Sequence, residues 1–374
     1  MNKKVRLFTL LLFPVAILIN FIGSKFPHIV ENYYSLSFNK FTVQILSRIT
    51  GIIPFSLYEF TMYLIVISIV LFLISIIFIT IKDIKKLKTF LKNSILNILS
   101  FLSIAYFLFI ILWGLNYNRL PLEYTILNKY NSDNNSSIST PTHTAEDLSN
   151  LYAYLIDKTN ETRKLVSEDN NKVMKCNSNY KGVIDRAQLG YDSILNIIPS
   201  VSGTYSKPKF VISSNLMCYT GITGIYFPWT GEANVNIAVP DMYIPSTVLH
   251  EMAHQRGFAS EDEANFLAYL SSINHPDIDF NYSGYILALS HTASALRKAD
   301  PKSHEELTKK VSQDVFIDLK NNSEFWKKYE GDINKISNDF NNTYLKSNGI
   351  KDGTESYGKM VDLLLTYYSL YPFK

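Results

Sequence analysis

Along the chain, apolar residues run almost unbroken through three stretches before residue 114 and mix with polar ones after it. Residues 5–22, 60–81 and 94–113 each come close to the roughly 20 residues that cross about 30 Å of hydrocarbon as a helix. Isoleucine and valine crowd the second stretch and favour a strand in water. Lipid offers no hydrogen-bond partners, so each segment must satisfy its own backbone, and a helix does so. The first stretch shares the composition of a secretory signal. GSKFPHIV follows it without a small-residue cleavage site, so an uncleaved anchor is expected.

Between the second and third stretches, KDIKKLKTFLK sets Lys82, Lys85, Lys86, Lys88 and Lys92 against the single acid Asp83. Short loops this basic resist translocation, which places this one in the cytoplasm with Lys3, Lys4 and Arg6 of the N-terminus. The chain is then a multi-pass protein of the cell membrane whose C-terminal domain is extracytoplasmic. Residues 24–58 form an outer connection interrupted by Pro27 and Pro54. Its amphipathic part, 33–46, lies on the membrane or packs on the outer domain, with no chemical role assigned.

Beyond Tyr117 the polar run SDNNSSISTPTHT reads as exposed connection. The expected organisation is a membrane anchor with three transmembrane helices over 1–113, a linker over 114–144 and an extracytoplasmic domain over 145–374. In that domain Leu148, Leu151, Leu155 and Ile156 recur at helical offsets over 145–166, and 186–197 repeats the pattern less clearly. Extended segments are expected at 209–213 and at 233–239, where Val235, Ile237 and Val239 alternate with polar or small residues. The aromatic-rich YTGITGIYFPW and LLLTYYSLYPF supply core or cleft lining. The predicted class is α+β, mostly helical with a small sheet.

Composition narrows the partners. The 374 residues are 47% hydrophobic and 18% charged, too apolar for disorder, and a net charge of +3 gives little attraction to nucleic acid. Glu324, Glu330 and Asp332 oppose the lysines of FWKKYEGDINKI, so no nucleic-acid groove is expected there. Lys359 lies outside any GxxxxGK phosphate loop. The lipid bilayer is the partner the composition does imply. Cys176 and Cys218, both beyond the last span, permit one disulfide without establishing it.

The sharpest chemical signal is STVLHEMAHQRG, residues 246–257. Four-residue spacing puts His250 and His254 on one helix face, able to aim both imidazoles at one divalent ion. Glu251 completes HExxH as a base beside the ion, and Zn2+ is the expected metal because it activates water without redox chemistry. Pro245 and Ser246 open the helix, and Gly257 ends it in a left-handed turn.

A catalytic zinc takes a third protein ligand. ASEDEANFLAYL offers three acids, and Ser260 with Glu263 has capping-box spacing, which would occupy Glu263 at the start of a second helix. Glu261 is the favoured ligand, Glu263 the alternative and Asp262 the residual candidate. Asn265, a helical turn beyond Glu261, is expected to hydrogen-bond a histidine or the helix. Tyr282, Tyr285 and His291 are candidates for stabilising an oxyanion or touching substrate, against the plainer reading of NYSGYILALSHTASAL as a packing helix. His28, His143, His275 and His304 read as loop or surface residues.

HEMAHQRG followed by EDEANFLAYL resembles the bacterial membrane-anchored family catalogued as domain of unknown function 3810, whose members look like HExxH zinc metallopeptidases. The resemblance takes in the N-terminal spans, YTGITGIYFPWTGEANVNIA and the helical C-terminal region, and it implies a zincin-like domain. In the wider superfamily a glutamate on a second helix, followed four residues later by aspartate or asparagine, often completes the site; this falls on Glu261 and Asn265. The chain departs from that pattern in the short connection from His254 to Glu261. Gly257 is similar to the glycine after HExxH in enzymes with three histidine ligands, but position 260 is serine.

The expected function is a membrane-anchored zinc peptidase hydrolysing extracytoplasmic proteins or peptides, with 231–238 as an edge strand along which substrate pairs. The alternatives are a zinc-stabilised scaffold or binding protein without hydrolysis, and a zinc amidase acting on a cell-envelope linkage. The nearest span ends at Trp113, far upstream of the motif, so cleavage within the membrane is not expected.

Overall fold

The apolar runs become helices in the computed structural model, which describes residues 3–347 and 359–372. α1 (Lys3–Lys25) leads through a π-helical stretch, Val30–Asn39, into α2 (Lys40–Gly51); α3 (Leu57–Lys82) and α4 (Leu87–Leu112) follow. α1, α3 and α4 are long and apolar enough to cross a membrane. α1 and α4 run side by side in the same direction. Arg6 donates to Asn93 and Asn97 near their starts, and Asn118 reaches Asn20 at their other ends. The outer connection packs on the C-terminal domain: Lys40 Nζ donates to Ser202 Oγ at 2.9 Å and Thr50 Oγ1 to the Thr230 carbonyl at 2.8 Å.

β1 (Ser167–Glu168) and β2 (Met174–Lys175) form a short antiparallel hairpin. β3 (Lys209–Val211), β4 (Gly224–Phe227) and β5 (Glu232–Asn236) form an open sheet in the order β3-β5-β4, with β3 parallel and β4 antiparallel to β5. This corrects the expected edge strand. β5 is central, and the edges are β3 and β4, the second drawn from YTGITGIYFPW. The polar positions of β5 do not face water. Asn234 accepts from Ser56 Oγ at 2.6 Å and Asn236 donates to the Ile222 carbonyl at 3.0 Å on one face, and every residue of β5 is buried, so both faces of the strand are covered.

A helical layer comprises α5 (Leu122–Asn134), α6 (Ala145–Arg163), α7 (Ile244–Gln255), α8 (Glu261–Ile273), α9 (Ile278–Ala299), α10 (Gln313–Lys327), α11 (Asp332–Ser347) and α12 (Met360–Leu370), and α7 packs it against the sheet. Thr144 and Asp147 form a reciprocal capping box that starts α6. Leu151 and Leu155 of α6, Leu249 of α7, Phe266 of α8, Ile286 of α9 and Leu364 of α12 meet in one core. The stretch expected to be a linker contains α5, whose Leu122, Ile126 and Leu127 are buried in that core. Cys176 and Cys218 are both buried and both free.

Charged side chains fasten the sheet to the membrane helices. Lys209 of β3 and Glu232 of β5 form a buried ion pair. Lys209 also donates to the Thr50 and Phe55 carbonyls around the end of α2, while Glu232 accepts from Leu57 N at 2.9 Å in the first turn of α3. Each charge therefore meets helix-end groups of opposite polarity. Replacing Lys209 by Met leaves Glu232 buried without its cation, a loss of about 3–5 kcal/mol. A lower melting temperature of the detergent-solubilised protein is expected; an unchanged one would show that the pair contributes nothing net.

Candidate metal centre

α7 carries HEMAH and lies against β4 and β5 on one side and α8 on the other, so nearly every position along it is buried. The helix stops because Gly257 takes φ +85°, a left-handed value glycine adopts freely. Gly257 N donates to the His254 carbonyl and Phe258 N to that of Ala253, closing the turn. The reversal sends α8 back along α7 with Glu261 as its first residue.

Both imidazoles turn their Nε2 atoms to Glu261: His250 at 3.1 Å from Oε2 and His254 at 3.6 Å from Oε1. Their rings stand 4.7 Å apart at 88°, and the three donor atoms lie within 4.8 Å of one another. Tetrahedral zinc with bonds of about 2.0–2.1 Å needs donors roughly 3.3 Å apart. The remaining ring nitrogens are occupied. His250 Nδ1 is 2.9 Å from Asn265 Oδ1, and His254 Nδ1 is 2.7 Å from the Phe258 carbonyl. As N–H donors there, they leave Nε2 as the metal-facing lone pair, which fits the donor set of a divalent ion.

Glu251 adds a second observation in favour of the fit. It is 4% exposed, yet its Oε2 has no hydrogen-bond partner among the described residues. Burial raises its pKa to about 7 against the pull of His250 and His254. Burial would lower that of His254, but the carboxylates of Glu261 and Glu251 and the Phe258 carbonyl outweigh it and lift it to about 9. Burial works against ionisation of Glu261 as well, and the two histidines overcome it, holding the carboxyl well below its usual range.

The three acids opening α8 go to three partners. Glu261 faces the imidazoles, Asp262 accepts from Met360 N at 3.1 Å and Glu263 accepts from Leu122 N at 2.6 Å. The Ser260–Glu263 capping box does not form, because Ser260 makes no side-chain cap bond. Tyr282 donates to Asp318 Oδ2 at 2.6 Å in a buried ion pair with Arg163. Tyr285 packs edge-on against Tyr269, and His291 is half-buried further along α9. His275 is not a surface residue: it is buried and stacks on Phe280 at 3.8 Å.

Other residues close around the cluster that the motif did not announce. Trp113, just past α4, stands edge-on to His254 at 5.8 Å, so the long chain separation between span and motif does not carry into space. Gly224 of β4 lies so close to Glu251 that a Cβ there would come within 2.5 Å of Oε1. A lone glycine in a strand is the sequence signal for such an approach. Tyr117 and Tyr344 share a hydrogen bond of 3.1 Å, and both phenols feel the Glu261 charge. No local pattern joins residues so far apart in sequence.

A family profile described as a protein of unknown function, DUF3810, matches residues 34–365, and the chain belongs to that family. No curated protein and no solved structure matches it.

Because the His254 pKa of about 9 lies above neutrality, an incoming ion must displace a proton. Metal uptake at pH 7 should release about one proton, and affinity should rise as pH climbs towards that value and level off above it. Calorimetry in buffers of different ionisation enthalpy reads the proton count; metal binding independent of pH between 6 and 8 would remove the cluster as the site. Asn265→Ala should weaken binding about 10–100-fold.

Proposed function

We propose that this protein is a membrane-anchored zinc-dependent peptidase acting on extracytoplasmic polypeptides. The observation that carries the reading is the convergence of two Nε2 atoms and a carboxylate beside a buried glutamate with an unpartnered oxygen. The lysine-rich turn between α3 and α4 supports an outward-facing domain.

Bound at His250, His254 and Glu261, zinc would supply Lewis acidity that activates water and polarises a carbonyl. Glu251 takes a proton from the attacking water and returns it to the leaving amine. Burial raises its pKa, which favours holding the proton between the two transfers. Gly224 leaves room for that carboxylate at the strand face, and β4, as a sheet edge, offers backbone groups for an extended substrate. Tyr344 is kept protonated by burial, with a smaller push from Glu261, up to about 12. It is therefore a hydroxyl donor near the carboxylate ligand, suited to meet a developing oxyanion.

Glu251→Gln should keep zinc and lose about 10²–10⁴ in hydrolysis of a peptide library. Gly224→Ala, which pushes the same carboxylate aside, should show the same split between metal content and turnover. Zinc retained with full activity in Glu251→Gln would end the base assignment. Zinc bound without cleavage of any library member by the native chain would favour a scaffold, and cleavage confined to cell-wall amides would favour an amidase.

A further inference from the structure

The position of the metal cluster along the third span sets where substrate can meet it. Arg6 of α1 donates to Asn93 and Asn97 of α4, marking one polar end of the helix pair. The 20 residues from Asn93 to Trp113 rise about 1.5 Å each, roughly the thickness of a bilayer's hydrocarbon. Trp113 therefore stands at the opposite boundary, and His254 packs on its ring. The turn between β4 and β5 reaches towards the lipid, where Trp229 Nε1 donates to the Ala105 carbonyl at 3.3 Å, two turns of α4 before Trp113.

α11 adds an independent feature. Ile333, Ile336, Phe340 and Tyr344 follow one another at offsets of three and four and so share one face. Tyr344 is covered by Phe109 of α4 and by Tyr117. The other three are 59%, 68% and 76% exposed. An apolar stripe that begins on a membrane-spanning helix and continues outward uncovered has the form of an interfacial helix. Its continuity with α4 identifies the occupant of that face as the lipid surface.

We infer that the metal cluster works at the bilayer surface and that its substrates are membrane-anchored polypeptides cut where they leave the lipid. This rests on the peptidase reading above and adds the substrate class. The reaction is hydrolysis of one peptide bond: the carbonyl carbon gains the oxygen of water, the C–N bond breaks, and the amine leaves with a proton. A segment held by its own transmembrane helix is delivered at the depth of Trp113, next to edge strand β4, whereas a free peptide must find that level from solution.

The test uses the full chain, zinc-loaded in lipid nanodiscs. The substrate is a transmembrane helix followed by spacers of one repeated sequence, about 5, 10 and 20 residues long, so that every register offers the same residues. The cut is expected within roughly five residues of the bilayer for all spacers, with the soluble repeat cut at least about tenfold more slowly. Cuts scattered along the spacer, or a free repeat cut equally fast, would overturn the membrane-surface substrate class while leaving a peptidase. No cutting of either substrate by the zinc-loaded chain would overturn the peptidase reading itself. A second readout needs no activity. In a Trp326→Phe background, which leaves Trp113 and Trp229 as the emitters, brominated lipids should quench the fluorescence of both, and spin labels at Phe340→Cys should be reached by lipid-soluble oxygen. Neither effect occurring would remove the placement at the bilayer.

Discussion

One buried guanidinium ties the membrane anchor to the cluster of His250, His254 and Glu261. Arg119 holds both carboxylate oxygens of Glu31 at 2.7 and 2.9 Å, donates to the Gly257 carbonyl at 2.8 Å and lies 4.2 Å over the Phe258 ring. The turn it grips reverses the chain between α7 and α8, and the Phe258 carbonyl in that turn fixes the His254 ring. Asn39 and Asn116 close the other side, where a Cβ on Gly257 would come within 3.2 Å of Asn39 Oδ1. An ion pair this deep is stable only when its geometry and remaining hydrogen bonds compensate for lost water, and here a bidentate pair, a carbonyl and an aromatic face do so together. Glu31 belongs to the π-helical stretch after the first span, so the anchor forms one wall of the cluster as well as tethering it.

That dependence explains which features the sequence made legible. The spans and the HExxH helix follow from periods within a few residues of one another, and they stand where the pattern put them. The choice among Glu261, Asp262 and Glu263 could not be read that way. Successive helix positions are turned about 100° apart, so three neighbouring acids face three directions. What decides between them is Leu122 N and Met360 N, which lie far away in sequence. The edge strand was hidden for a related reason. Asn234 and Asn236 look like solvent-facing positions, but Ser56 of the anchor and the Ile222 carbonyl bind them. α5 was hidden in the same way, because the polar run at its end drew attention from Leu122, Ile126 and Leu127, which seat that helix in the core.

The short step from His254 to Glu261 raises a charge problem that the packing resolves. Three carboxyls at one helix start repel each other, although the N-terminal end of a helix favours negative charge. Burial pushes Asp262 up to about 7 and Glu263 upward as well, and each accepts a backbone N–H that anchors another helix. Glu251, also buried, sits near 7. Of the four carboxyls around the cluster, Glu261 alone is driven down, because it has the imidazoles beside it. The imidazoles thus favour the ionised form of Glu261 at the place where two Nε2 atoms converge. Its two neighbours, Asp262 and Glu263, turn to backbone N–H groups of other helices and so hold those helices in place beside the cluster.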